Sequence, residues 1–128
     1  MLEINPEIVC FLVDRAREFH AKEGVVIPEV PGAPTDDWAL QVLADHVDDT
    51  TRMEFEAAVN DLEPDQQHVL VALLWLGRGD YSLEEWDEAV AEARRNWTPN
   101  TAAYLLSHPL LADYWLEALE QFGYHCAG

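Results

Sequence analysis

The residues best placed to do chemistry lie in the run Gly77-Arg78-Gly79-Asp80-Tyr81. Two glycines free the backbone to take positive φ and leave Arg78 and Asp80 displayed between helices. An arginine held this way could fork onto a carboxylate or phosphate, while Asp80 orients it or meets a cation on a partner. Tyr81, Trp86 and Tyr104 complete a tentative binding group around the same loop. The structural reading is favoured over this functional one: glycine after a helix is ordinary capping, and Arg78 would pair with a nearby carboxylate to fix the angle between the flanking helices. The run lacks the rest of a Walker A or GxGxxG motif, so phosphate cradling is not expected, and its Arg-Gly-Asp tripeptide is too short to imply adhesion.

Other chemistries find less support. The five histidines, His20, His46, His68, His108 and His125, offer no HExxH, His-x-x-x-His or Glu-x-x-His spacing, so no metal site is expected. His46 with Asp49, and Asp65 with His68, read as surface hydrogen bonds or caps. Ser82 and Ser107 are the only serines and both sit where helix caps are expected. Cys10 falls on a helix without an evident base, so no nucleophilic triad assembles. Glu84, Glu88 and Glu92 recur at i, i+4, where they repel one another, and read as a solvated face. No catalytic residue and no cofactor is assigned.

The elements that must position these residues are helical. Asn5-Pro6 is a helix start, and Ile8, Val9, Leu12, Val13, Ala16 and Phe19 follow at helical spacing until Gly24. Three prolines and Gly32 make residues 24–36 an extended surface loop. Helical spacing resumes at Trp38, Val42, Leu43 and Val47, and Thr51 with Glu54 forms a capping box for a helix starting near Arg52. Glu63-Pro64 opens the next helix, whose run from Val69 to Leu76 is apolar on every side and belongs in the middle of a bundle. Gly77 stops it. Ser82 with Glu85 caps a helix running to about Asn96, with acids at its start and Arg94-Arg95 at its end, as the helix dipole prefers. Thr98-Pro99 and His108-Pro109 mark two last helices, and Gly123 closes the second. The expected fold is all-α: one domain over residues 1–128, a compact bundle of about six or seven short helices around the central helix 64–76.

Composition bounds the partners. With 25 acidic against 7 basic residues, the formal net charge is −18, and Lys22 is the sole lysine. Nucleic acids and anionic membranes are won by clustered Lys and Arg, so neither is an expected partner. A basic protein, or a second copy meeting a helix face, fits better. Cys10 and Cys126 sit near opposite ends without CxxC spacing, which suggests free thiols. The start MLEINPEIV lacks the basic and apolar regions of a signal peptide, and the longest apolar run is far short of a membrane span, so a cytoplasmic protein is expected. Of the five tryptophans, Trp75 and Trp115 lie on dense apolar stripes. Core packing is favoured for Trp86 and Trp97 as well, although an exposed indole there would suggest a binding face.

At the run from Leu70 to Asp80, followed by Glu85-Trp86, Tyr104-Leu105-Leu106 and Pro109-Leu110-Leu111, the chain resembles the bacterial domain-of-unknown-function family 3775. The likeness extends to Ile4-x-Pro6 and to Ala16-Arg17-Glu18-Phe19. The resemblance implies a small bacterial protein and brings no activity, cofactor or catalytic residue. A non-catalytic interaction or regulatory module is therefore the favoured function, with a small hydrolase or transferase acting near the Gly77–Tyr81 loop as the alternative.

Overall fold

The Oδ1 of Asn5 accepts the backbone N–H of Glu7 at 2.9 Å, so helix α1 (Pro6–Glu23) starts at the expected cap. Structure is described, from a computed structural model, for residues 2–23 and 50–126. The proline-rich stretch 24–36 and the helix expected around Trp38 to Val47 lie outside the described residues. Helix α1 buries Val9, Leu12, Val13, Ala16 and Phe19, the stripe set by its 3.6-residue period.

Helix α2 (Thr50–Asn60) buries Thr51, Phe55 and Val59. Thr51 was expected to cap this helix. It lies inside it instead, and Glu54, the other half of the expected box, reaches across to Arg15 of α1 at 3.2 Å. The cross-helix ion pair is open to Glu54 because the helix begins earlier than the box requires.

Helix α3 (Pro64–Arg78) is the centre of the fold, with every residue from Gln67 to Leu76 buried. An apolar run with no polar face has only this place to go. The helix runs two residues past the expected end at Leu76. Gly77 continues it, and the stop is Gly79, whose φ of 93° is the left-handed conformation that glycine adopts without strain. The N–H groups of Gly79 and Asp80 donate to the carbonyls of Leu76 and Trp75 at 3.1 and 2.9 Å, which satisfies two of the carbonyls left over at the helix end. Gly77 serves packing: a Cβ there would lie 1.8 Å from the carbonyl oxygen of Tyr114.

A 3₁₀ turn, Leu83–Glu85, leads into α4 (Trp86–Arg95), with the Ser82 N–H on the Glu85 carboxylate at 2.8 Å. The last two helices, α5 (Thr101–Leu106) and α6 (Leu111–Gln121), begin later than their prolines suggest. Thr98 explains the first delay, because its Oγ1 accepts the Asn100 N–H at 3.1 Å and its carbonyl accepts the Thr101 hydroxyl at 2.8 Å, closing a turn ahead of the helix. Helix α3 packs on α6, α4 and α5, while α1 packs on α2 and α6. The Trp115 indole of α6 donates to the Leu70 carbonyl at 3.0 Å, fastening α6 to the centre. The described residues are all helix and connection, with no strand, and they share one hydrophobic core. None of the described helices is long and apolar enough to cross a membrane.

The expectation of free thiols is overturned. Cys10 on α1 and Cys126 beyond α6 form a disulfide, with Cα atoms 5.5 Å apart. Spacing along the chain hides this pair, because it is the packing of α1 on α6 and the turn at Gly123, φ 87°, that bring the tail to α1.

Candidate functional site

The Schellman-type end of α3 holds Arg78 against Asp80: the guanidinium Nε and Nη2 both donate to Asp80 Oδ2, at 2.9 and 2.6 Å. The Arg78 side chain is 13% exposed and that of Asp80 is 43% exposed. Tyr104, buried on α5, brings its hydroxyl to the same place, where it accepts the Trp75 indole N–H at 3.0 Å and also interacts with Arg78. Burial pushes the Tyr104 phenol above its ordinary pKa, against the pull of Trp75 and Arg78. The Tyr81 ring stacks on Trp75 at 5.9 Å, and its phenol too is raised, by burial and then by the Glu92 and Glu88 carboxylates. Arg78, Asp80, Tyr81 and Tyr104 thus converge around Trp75. The guanidinium is spent inside this group rather than held out to solvent, and only one of the two flanking glycines takes positive φ.

Trp86 goes elsewhere. Its ring meets Phe122 edge to face at 4.9 Å, and the two line a cleft of about 420 Å³ between the start of α4 and the end of α6. Tyr124, Leu83 and the carboxylates of Glu84 and Asp87 share the lining. Glu84, expected only as part of a solvated face with Glu88 and Glu92, precedes α4 and borders this cleft. Glu92 instead binds Arg95 and Asn96, and these hydrogen bonds hold its carboxyl below the usual carboxylate range. From the sequence Phe122 reads only as a core residue of the last helix and Tyr124 is not singled out, although the Phe-Gly-Tyr run after that helix was the available signal.

Ser107 and His108 are adjacent and fully buried, but the Ser107 hydroxyl and the His108 Nδ1–H both donate to the Tyr104 carbonyl, at 2.6 and 2.8 Å. A serine whose proton rests on a backbone carbonyl is not activated by its histidine neighbour. His68, expected at the surface, is buried, with Asp65 at 3.8 Å from its Nδ1. Trp97 departs from core packing: it is 37% exposed, and its indole donates to Gln67 at 2.7 Å. His46 and Asp49 lie outside the described residues. Among those described, no three His, Cys, Asp or Glu side chains converge as metal ligands would.

A family model described as a protein of unknown function (DUF3775) matches residues 52–124. The chain belongs to this family. The DUF3775 match takes in the Arg78 group and every residue lining the Trp86 cleft except Leu2, and it leaves out α1 and the amino-terminal likeness at Ile4-x-Pro6. No curated protein and no solved structure matches the chain.

Proposed function

We propose that this DUF3775 protein is a non-catalytic interaction module that receives a basic partner on its acidic surface. One observation carries the reading: most of the basic side chains are neutralised in place. Arg15, Arg17, Arg52, Arg78 and Arg95, five of the seven basic residues, are each within ion-pair distance of a carboxylate of this chain. What the surface has left to offer is surplus negative charge, which steers and holds a positively charged partner. Self-association is disfavoured by the same surplus, since two copies repel. The alternative, a hydrolase or transferase at the Gly77–Tyr81 loop, would need Arg78 to leave Asp80 and Tyr104 before it could meet a substrate. A cytoplasmic bacterial setting is part of the proposal, and the Cys10–Cys126 disulfide is the observation that stands against it, because disulfides persist in oxidising surroundings.

The test is a calorimetric titration with an arginine-rich peptide at low and physiological ionic strength. Saturable binding that weakens as salt rises is expected. No binding, or binding indifferent to salt, would overturn the reading.

A further inference from the structure

Three of the four described tryptophans satisfy their indole N–H within the fold. Trp75 donates to the Tyr104 hydroxyl, Trp97 to Gln67 and Trp115 to the Leu70 carbonyl. Trp86 does not. It is 93% buried, and its Nε1–H has no hydrogen-bond partner among the described residues. A buried donor without an acceptor is rare in folded proteins and calls for a cause. Trp86 is also the indole that lines the cleft between α4 and α6; its Nε1 is itself closed to solvent, so an acceptor on a ligand lodged there reaches it through a small shift of the ring.

The other walls define the rest of that ligand. Phe122 stands edge to face with Trp86 at 4.9 Å, and Tyr124 adds a third aromatic ring. Glu84 and Asp87 are exposed at the rim and form no ion pair with any described residue. Aromatic surface beside free carboxylates attracts organic cations. The N-terminus of α4 contributes roughly half a positive charge nearby, which two full carboxylate charges outweigh.

We infer that this cleft seats an arginine side chain of a basic peptide, with the guanidinium on Glu84 and Asp87 and a peptide carbonyl on the Trp86 Nε1–H. The inference rests on the basic-partner reading and says where that partner is gripped. Three requirements select the ligand. The carboxylates need a cation, the rings favour a planar, weakly hydrated one, and the indole needs an acceptor. Guanidinium meets the first two better than a compact, strongly hydrated ammonium does. A peptide backbone meets the third, whereas protonated polyamines and tetraalkylammonium ions carry no acceptor. A cleft of about 420 Å³ has the size of a small-ligand site and admits one such side chain with its flanking backbone.

The experiment titrates a blocked Gly-Arg-Gly peptide into uniformly ¹⁵N-labelled protein and follows the indole N–H signals, with Trp86 assigned through Trp86→Phe. The Trp86 signal should move downfield and saturate as it gains an acceptor. The exposed double variant Glu84→Gln/Asp87→Asn, which leaves the rings in place, should weaken binding by about tenfold or more, the usual effect of losing charge-assisted hydrogen bonds. Blocked Gly-Lys-Gly, spermidine and tetramethylammonium should bind more weakly. A Trp86 signal that stays still, a double variant that binds like the parent, or equal affinity for lysine peptide or spermidine would overturn the assignment. If the arginine-rich peptide binds parent and double variant alike, the cleft assignment falls and the basic-partner reading stands. If that peptide fails to bind at all, both fall.

Discussion

Replacing Gly77 by alanine puts a methyl group where the backbone of α6 already runs. The added Cβ would sit 1.8 Å from the Tyr114 carbonyl oxygen, 2.5 Å from its carbon and 2.9 Å from its Cα. Restoring ordinary contact at 3.4 Å requires α3 and α6 to part by about 1.6 Å, and no side-chain rotation can relieve a clash with main chain. That movement would strain the bond between Trp115 and the Leu70 carbonyl, which spans the same two helices. Overpacking costs about 1–3 kcal/mol and a lost buried hydrogen bond about 1 kcal/mol more, offset by about 1 kcal/mol of helix propensity gained from glycine to alanine. The net loss is about 1–3 kcal/mol, or roughly 4–12 °C in Tm for a chain of this size. Gly79→Ala is the comparison. At φ 93° it meets no atom within 4 Å, so it bears only the left-handed penalty of about 1–2 kcal/mol. Thermal melts followed by circular dichroism should rank Gly77→Ala as the more damaging. A Gly77→Ala protein that melts at or above the parent, or above Gly79→Ala, would refute the close approach of α3 and α6.

Two further outcomes are expected. The Cys10–Cys126 bond closes a loop with a sequence separation of 116, for which chain entropy gives a stabilisation of up to about 4–5 kcal/mol. Cys10→Ser/Cys126→Ser, or reduction of the parent, should therefore lower Tm clearly; an unchanged melt, or two thiols titrating in denatured, unreduced protein, would count against the bond. Burial is the leading cause that depresses the pKa of both His20 and His68 below the ordinary 6.5, against the bond from His20 to the Leu106 carbonyl and the nearby Asp65 carboxylate. The unfolded chain then takes up these protons first, so the stability the two neutral histidines contribute is complete above pH 6.5 and is lost as pH falls below it. His20→Gln and His68→Gln should each show a smaller drop in Tm than the parent between about pH 7.5 and about pH 5.5. An equal drop in both variants would remove the histidines from the account.

The sequence made α3 legible because a proline start, an unbroken apolar run and a nearby glycine all point to one buried helix. It did not distinguish Gly77 from Gly79. A glycine that ends a helix and a glycine that admits a neighbouring backbone look alike in one dimension, and only the position of Tyr114 tells them apart. The grouping of Arg78, Asp80, Tyr81 and Tyr104 was suggested by loop chemistry. Trp86 was placed with them because it is near in sequence, yet its ring is claimed by Phe122 from the far end of the chain. The Thr51 box failed because the helix already begins at Thr50, and Glu54 reaches Arg15 of α1 instead. Most of these misses involve a contact between distant parts of the chain, about which short-range spacing carries no information; the late start of α5, set by the local turn at Thr98, is the exception.

The sulfur link between α1 and the tail makes the polypeptide a nearly closed ring. A single peptide cut anywhere between residues 11 and 125, within or outside the described helices, leaves two pieces that are still one molecule. Such a nicked protein would gain only the mass of one water under oxidising conditions and fall into two fragments when thiol is added. The ring also means that damage to one connection need not scatter the core, because α1 stays anchored beside α6 through Cys10 and Cys126.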